Sequence, residues 1–130
     1  MTEPHDDLVR HRLQRAEETL EEARILSEAG RWRGYVNRLY YACFYAVSAL
    51  LLKHGLTSSK HTGVRSLFNL HFVKTGRVAP KLGQFYNELF QHRQEGDYMD
   101  TVNFEEQGLQ PWLGFAEEFV EEVARLSLAG

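Results

Sequence analysis

Leu39-Tyr40-Tyr41-Ala42-Cys43-Phe44-Tyr45-Ala46-Val47-Ser48-Ala49-Leu50-Leu51-Leu52 is the stretch that decides the fold. It carries no charge, and Ser48 interrupts it without setting up an alternation. An amphipathic helix shows one apolar stripe, whereas a helix that is apolar almost all round is enclosed by its neighbours. The run therefore predicts a central helix, from about Tyr35 to His54, closed by Gly55. Fourteen residues fall short of the roughly twenty a helix needs to cross a bilayer. The first thirty residues are charged throughout and show no secretory pattern, so the expectation is a cytoplasmic chain. Cys43, the one cysteine, sits inside the run and reads as a small buried hydrophobe in a reducing compartment.

Working outward, punctuation marks further helices on both sides. Upstream, Leu13, Ala16, Leu20 and Ala23 recur at three- and four-residue spacing from about His5 to Ala29, with Gly30 just beyond. Downstream, Ser58 or Ser59 can cap a helix starting near Lys60, whose Val64, Leu67, Phe68, Leu70 and Phe72 form a stripe that Gly76 stops. Pro80 suits the first turn of another helix, with Leu82, Phe85, Tyr86, Leu89 and Phe90 on one face. A break is expected around Gly96 to Thr101, followed by an Asn103–Glu106 capping box. A last amphipathic stretch runs through Trp112, Phe115, Phe119 and Val123 to about Leu126, and Pro111 should kink or restart it. Nothing alternates like a strand. The expected fold is all-α, an up-and-down bundle of four to five helices forming a single domain over residues 1–130.

Composition is that of an ordinary globular protein, with 43% hydrophobic and 25% charged residues. The net charge of −3 conceals a polarity. Between Arg31 and Lys81 lie Arg31, Arg33, Arg38, Lys53, Lys60, Arg65, Lys74, Arg77 and Lys81, and all 18 acidic residues fall outside that segment. Such a division either creates a local positive surface or is neutralised by the acidic flanks on folding.

Three constellations can carry chemistry. Continuing the stripe of Leu82, Tyr86, Leu89 and Phe90 by one step lands on Arg93, and an arginine on a core-facing stripe is either paired or lines a cleft. Asp97, four residues on, shares its face and can pair with it, and Tyr98 stands beside them. The second is Ser59-Lys60-His61-Thr62-Gly63, which places Lys60 and His61 where a helix begins. That suits phosphate, with His61 available as a general acid or base, but it equally describes a capped helix with two exposed side chains. The third follows one face of the central helix through Asn37, Tyr41, Phe44 and Ser48, with Arg38 and Tyr45 adjacent. Aromatic residues so placed stack on bases or, more often, on the core. No Cys pair, HExxH, Ser–His–Asp set, P-loop or dinucleotide fingerprint is present, so neither a metal nor a cofactor is expected.

Asn37-Arg38-Leu39-Tyr40-Tyr41-Ala42, Ser59-Lys60-His61-Thr62-Gly63-Val64 and Arg93-x-x-x-Asp97-Tyr98 together resemble a prokaryotic branch of the HEPN family, over roughly residues 10 to 125. The resemblance implies a helical bundle, usually a homodimer, with its polar motif near the dimer cleft. It also implies RNA or nucleotide as ligand and, as partner, a minimal nucleotidyltransferase that restrains a toxin. Many members are metal-independent ribonucleases marked by an arginine followed, after four to six residues, by histidine. Arg93 matches that arginine, but Tyr98, Met99 and Asp100 occupy the histidine window. Metal-free RNA cleavage needs a group to take the 2′-hydroxyl proton. His92 would point about 100° away from Arg93 around the helix, which leaves His61 as the substitute.

Three functions follow from this. The first is an RNA- or nucleotide-binding component of a two-component, toxin–antitoxin-like system, with Arg93, Asp97, Tyr98, Lys60, His61, Asn37, Arg38 and Tyr41 at its site. The second is a ribonuclease using His61 and Arg93, and the third a non-catalytic interaction module.

Overall fold

The computed structural model describes residues 4–98 and 106–129, with side chains described for 5–93 and 108–129. Every described element is helical. The order is α1 (Pro4–Glu28), α2 (Trp32–Lys53), α3 (His61–Phe68), a π-helical turn (Asn69–Val73), α4 (Pro80–Tyr98), α5 (Glu106–Leu109) and α6 (Trp112–Leu128). This is the all-α bundle expected from the sequence. The glycines read as stops, Gly30, Gly55 and Gly76, have φ of +71°, +73° and +82°, which residues with a Cβ rarely adopt. Among the described residues, no helix is long and apolar enough to cross a membrane.

Helix α2 is central, packing against α1, α3, α4, α5 and α6. Leu39, Ala42, Cys43, Ala46, Val47, Ala49 and Leu50 have no solvent-exposed surface. Burial also pushes the Cys43 thiol far up, so it behaves as a hydrophobe. The enclosure is not complete, however. Asn37, Arg38, Tyr41, Phe44, Tyr45 and Ser48 are only partly buried and form one strip along the helix.

Several local expectations are corrected. The helix begun at α3 does not run regularly to Gly76: the Lys74 amide donates to the Asn69 carbonyl five residues back, at 2.8 Å. Gly83 lets this wide turn approach α4, since a Cβ there would lie 2.8 Å from both Val73 methyls. Leu70, assigned to the stripe, is 53% exposed, because it sits two positions from both buried Phe68 and buried Phe72 and so faces away. Phe115 is 49% exposed at the rim of a groove between α4 and α6. The α4 backbone continues helically through Gly96 to Tyr98, past the start of the expected break. Asn103 of the expected capping box lies outside the described residues.

Pro111 does not kink a helix; it separates α5 from α6 as the N-cap of the latter. The side chain that braces this break is Tyr35 of α2. Its hydroxyl lies 2.8 Å from the Leu109 carbonyl and 3.1 Å from that of Gln110, donating to both, and it accepts the Leu113 amide at 2.8 Å. The break thus keeps its backbone groups satisfied where the proline denies it a helical ladder.

The charge polarity is neutralised in part. Arg38 meets Glu22, Lys53 meets Asp6 and Lys81 meets Glu118, so the acidic outer helices neutralise part of the basic middle. Arg65 and Arg77 instead lie over the rings of Phe90 and Phe72.

Candidate functional site

Three elements converge on two adjacent tyrosines of α2. Tyr40 points inward and has no exposed surface, while Tyr41, one residue on, is partly exposed. From α4, Arg93 reaches across both rings: its Cζ lies 5.4 Å from the Tyr40 centroid and 5.5 Å from that of Tyr41, and Nη2 donates to the Tyr41 hydroxyl at 3.1 Å. From the first residue of α3, His61 comes to the same pair, with its ring centroid 5.7 Å from Tyr40 and 5.8 Å from Tyr41. His61 Nδ1 shares a 2.7 Å hydrogen bond with the Tyr40 hydroxyl, and the imidazole stacks on Phe44 at 4.3 Å. The two sequence candidates, 32 positions apart in the chain, are therefore held against one pair of rings.

The electrostatics favour a neutral imidazole beside a cation. Burial lowers the His61 pKa, and the Arg93 charge lowers it further. Burial drives the Tyr40 hydroxyl up to about 12, so it keeps its proton throughout the physiological range. With Tyr40 and His61 Nδ1 committed to each other, Nε2 is the nitrogen available to a ligand. Behind them Tyr86 stacks parallel to Tyr40 at 6.0 Å. Its buried hydroxyl neighbours Tyr40 without making a well-formed hydrogen bond, and burial raises its pKa well above the ordinary value.

A test of this arrangement follows from the sign of the His61 shift. Because the unfolded chain binds that proton more readily, the His61 contribution to stability is complete above about pH 6.5 and falls as pH drops below it toward the folded-state value. In an NMR titration the His61 ring should protonate below free histidine, and Arg93→Ala should move its midpoint upward. A midpoint unmoved by that change would show that Arg93 does not act on the imidazole.

The remaining candidates are distributed around this cluster. Arg38 Cζ lies 5.1 Å from the Tyr41 ring centroid, and Asn37 Oδ1 orients it by accepting from Nε at 3.1 Å and Nη2 at 2.7 Å. Arg38 also meets Glu22 at 3.3 Å, so its charge is partly answered. Lys60 is exposed and is the N-cap of α3 rather than part of its first turn. No serine side chain caps that helix; Ser58 Oγ instead accepts the Lys60 amide at 3.2 Å. Gly63 makes room for this turn, because a Cβ there would fall on Ser58 Oγ. The Asp97 and Tyr98 side chains, and with them the expected Arg93–Asp97 pair, lie outside the described side chains. His92 packs edge-on against Trp112 at 5.1 Å, toward α6 and away from His61.

Sequence reasoning did not assign Tyr40 or Arg65 to the site, and it placed Phe44 only among the aromatic residues of the central helix. Tyr40 stood within the apolar run and read as core; its ring is buried there, yet Arg93 and His61 lie against it and its hydroxyl bonds His61. Arg65 lies over Phe90 with Cζ 4.3 Å from the centroid, and its charge is felt at Tyr40. Its position four residues after His61, on the same helical face, was the signal available for it.

Chemically, a cationic fork next to a neutral imidazole on an aromatic floor suits a phosphate ester with an attached base. No group of three or more metal-binding side chains occurs among the described residues.

Comparison with known proteins agrees with the motifs. A UPF0332 protein of Thermotoga maritima is 46% identical over 121 residues, which is 93% of this chain and 92% of that protein. Two proteins of Methanocaldococcus jannaschii, each named "Putative toxin", are similar as well. One is 36% identical over 110 residues (85% of this chain, 81% of that protein) and the other 34% over 95 residues (73% and 65%). The HEPN domain model matches residues 9–126, and the chain belongs to the HEPN family.

Proposed function

We propose that this chain is the RNA- or nucleotide-binding member of a two-component, toxin–antitoxin-like system, acting as a homodimer in the cytoplasm and restrained by a minimal nucleotidyltransferase. The observation that carries the binding reading is the convergence of Arg93 and His61 on Tyr40 and Tyr41. The names of the two archaeal relatives support the toxin assignment. In this reading Arg93 and Arg38 meet phosphate oxygens, and Tyr41 and Phe44 offer ring faces to a base.

The neutral state of His61 favours a second reading, a metal-independent ribonuclease. In the tautomer whose Nδ1–H donates to the Tyr40 oxygen, His61 Nε2 takes the 2′-hydroxyl proton, the 2′ oxygen bonds to phosphorus as the 5′ oxygen leaves, and water protonates the leaving oxygen. Arg93 stabilises the charge that builds on the phosphoryl oxygens. The experiment is incubation of purified protein with a labelled oligoribonucleotide in EDTA. The ribonuclease reading expects cleavage lost in both His61→Ala and Arg93→Ala, a drop of at least about a hundredfold. Binding that weakens with rising salt, without cleavage, leaves the chain as a binding module. Binding indifferent to salt would remove the phosphate role altogether.

A further inference from the structure

The partly exposed strip of α2 does not end at the Tyr41–His61 cluster. Beyond Phe44 it continues through Tyr45 and Ser48 into a groove of about 390 Å³ between α1, α2 and the turn leading to α3. On its α1 side stand His11, Arg12 and Arg15, and on its far side Thr57 and Ser58. No carboxylate lines it. That distinguishes it from the grooves bordered by Lys81, where Glu88 and Glu118 line one and Glu118, Glu121 and Glu122 the other. Arg15 lies over the Tyr45 ring, Cζ 5.3 Å from the centroid, and is answered at 3.2 Å by Glu18, a residue outside the groove. Arg12 donates one guanidinium nitrogen to the Ser48 carbonyl at 3.4 Å.

The groove is continuous with the first site through ring contacts. Phe44 stacks on His61 at 4.3 Å, and Tyr45 stands 6.0 Å from Phe44. From Tyr41 to Ser48 the helix advances roughly 10 Å, which leaves room for another nucleotide beyond the one at Arg93. Arginines flanking a run of aromatic faces are the arrangement that follows a single strand, with cations on its phosphates and rings beneath its bases.

We infer that the α1–α2 groove is a second nucleotide subsite, in which Arg12 and Arg15 hold the next phosphate of a single-stranded RNA anchored at Arg93 and Tyr45 stacks on its base. This rests on the binding function proposed above and extends it from one nucleotide to a strand with a defined path along α2.

The test compares uridine 3′-monophosphate with a fluorescent uridine hexaribonucleotide on the intact chain. The Arg12→Ala/Arg15→Ala variant should bind the mononucleotide within twofold of the parent. It should bind the hexamer about tenfold or more weakly, with a salt dependence reduced by about one to two counterions. Tyr45→Leu, which keeps an apolar side chain in place, should weaken only the hexamer, again by about tenfold; it serves should the double variant melt early. Arg93→Ala should lose both ligands. If both groove variants bind the hexamer like the parent while Arg93→Ala loses the mononucleotide, the second subsite is wrong and the anchor stands. If the parent binds neither ligand, both fall. Equal binding of a deoxyribonucleotide hexamer would overturn the assignment to RNA.

Discussion

Arg93→Ala is expected to reduce binding of RNA or nucleotide by at least about a hundredfold, as charge-assisted hydrogen bonds of roughly 1.5–3 kcal/mol each are lost from a partly buried fork. Arg93→Lys should recover only part of this. A lysine keeps the charge, but it loses the planar guanidinium that lies against Tyr40 and Tyr41 while also donating to the Tyr41 hydroxyl. The comparison separates a general need for positive charge from a need for the fork. Calorimetric titration with a short oligoribonucleotide, alongside thermal melts of both variants, measures it. Affinity retained in a folded Arg93→Ala protein would place the ligand elsewhere. Tyr41→Phe is the companion change, removing only the hydroxyl at 3.1 Å from Arg93 on a partly exposed ring.

Tyr35→Phe is expected to produce the largest loss of stability among single-atom deletions, about 2–3 kcal/mol. The reason is the number of groups that one oxygen satisfies. The Leu113 amide and the Leu109 and Gln110 carbonyls all turn to it where Pro111 interrupts the helix. The phenol ring would remain packed in phenylalanine, so the loss comes from backbone groups left without partners rather than from a cavity. A fall in melting temperature of roughly 6–15 °C is the expected readout, with ligand affinity little changed. Melting within about 2 °C of the parent would show that water takes over these groups.

How far the site could be read from sequence differs from residue to residue. Arg93 was visible because it violated a stripe, and His61 because it opened a helix next to a lysine. Tyr40 was hidden because its ring belongs to the core, and a buried aromatic gives no sign in sequence that its hydroxyl is used. Leu70 and Phe115 were misplaced because an apolar residue near a stripe looks like part of it. Whether it is covered depends on a neighbouring element and, at Asn69–Val73, on a turn of unusual width.

What the sequence determined alone is the helical fold with α2 at its centre. Helical periodicity, an uncharged run and glycines at the stops are properties of consecutive residues, and they act within a few turns of the chain. What only the tertiary structure decided is the site. It settled that α3 and α4 deliver His61 and Arg93 to the same two rings, that Tyr35 holds the Pro111 break through a bond to Leu113, 78 residues away, and that one strip of the central helix stays open beside α1. Those relations depend on how helices pack, and packing is set by side-chain shape summed over several elements, which no local pattern encodes.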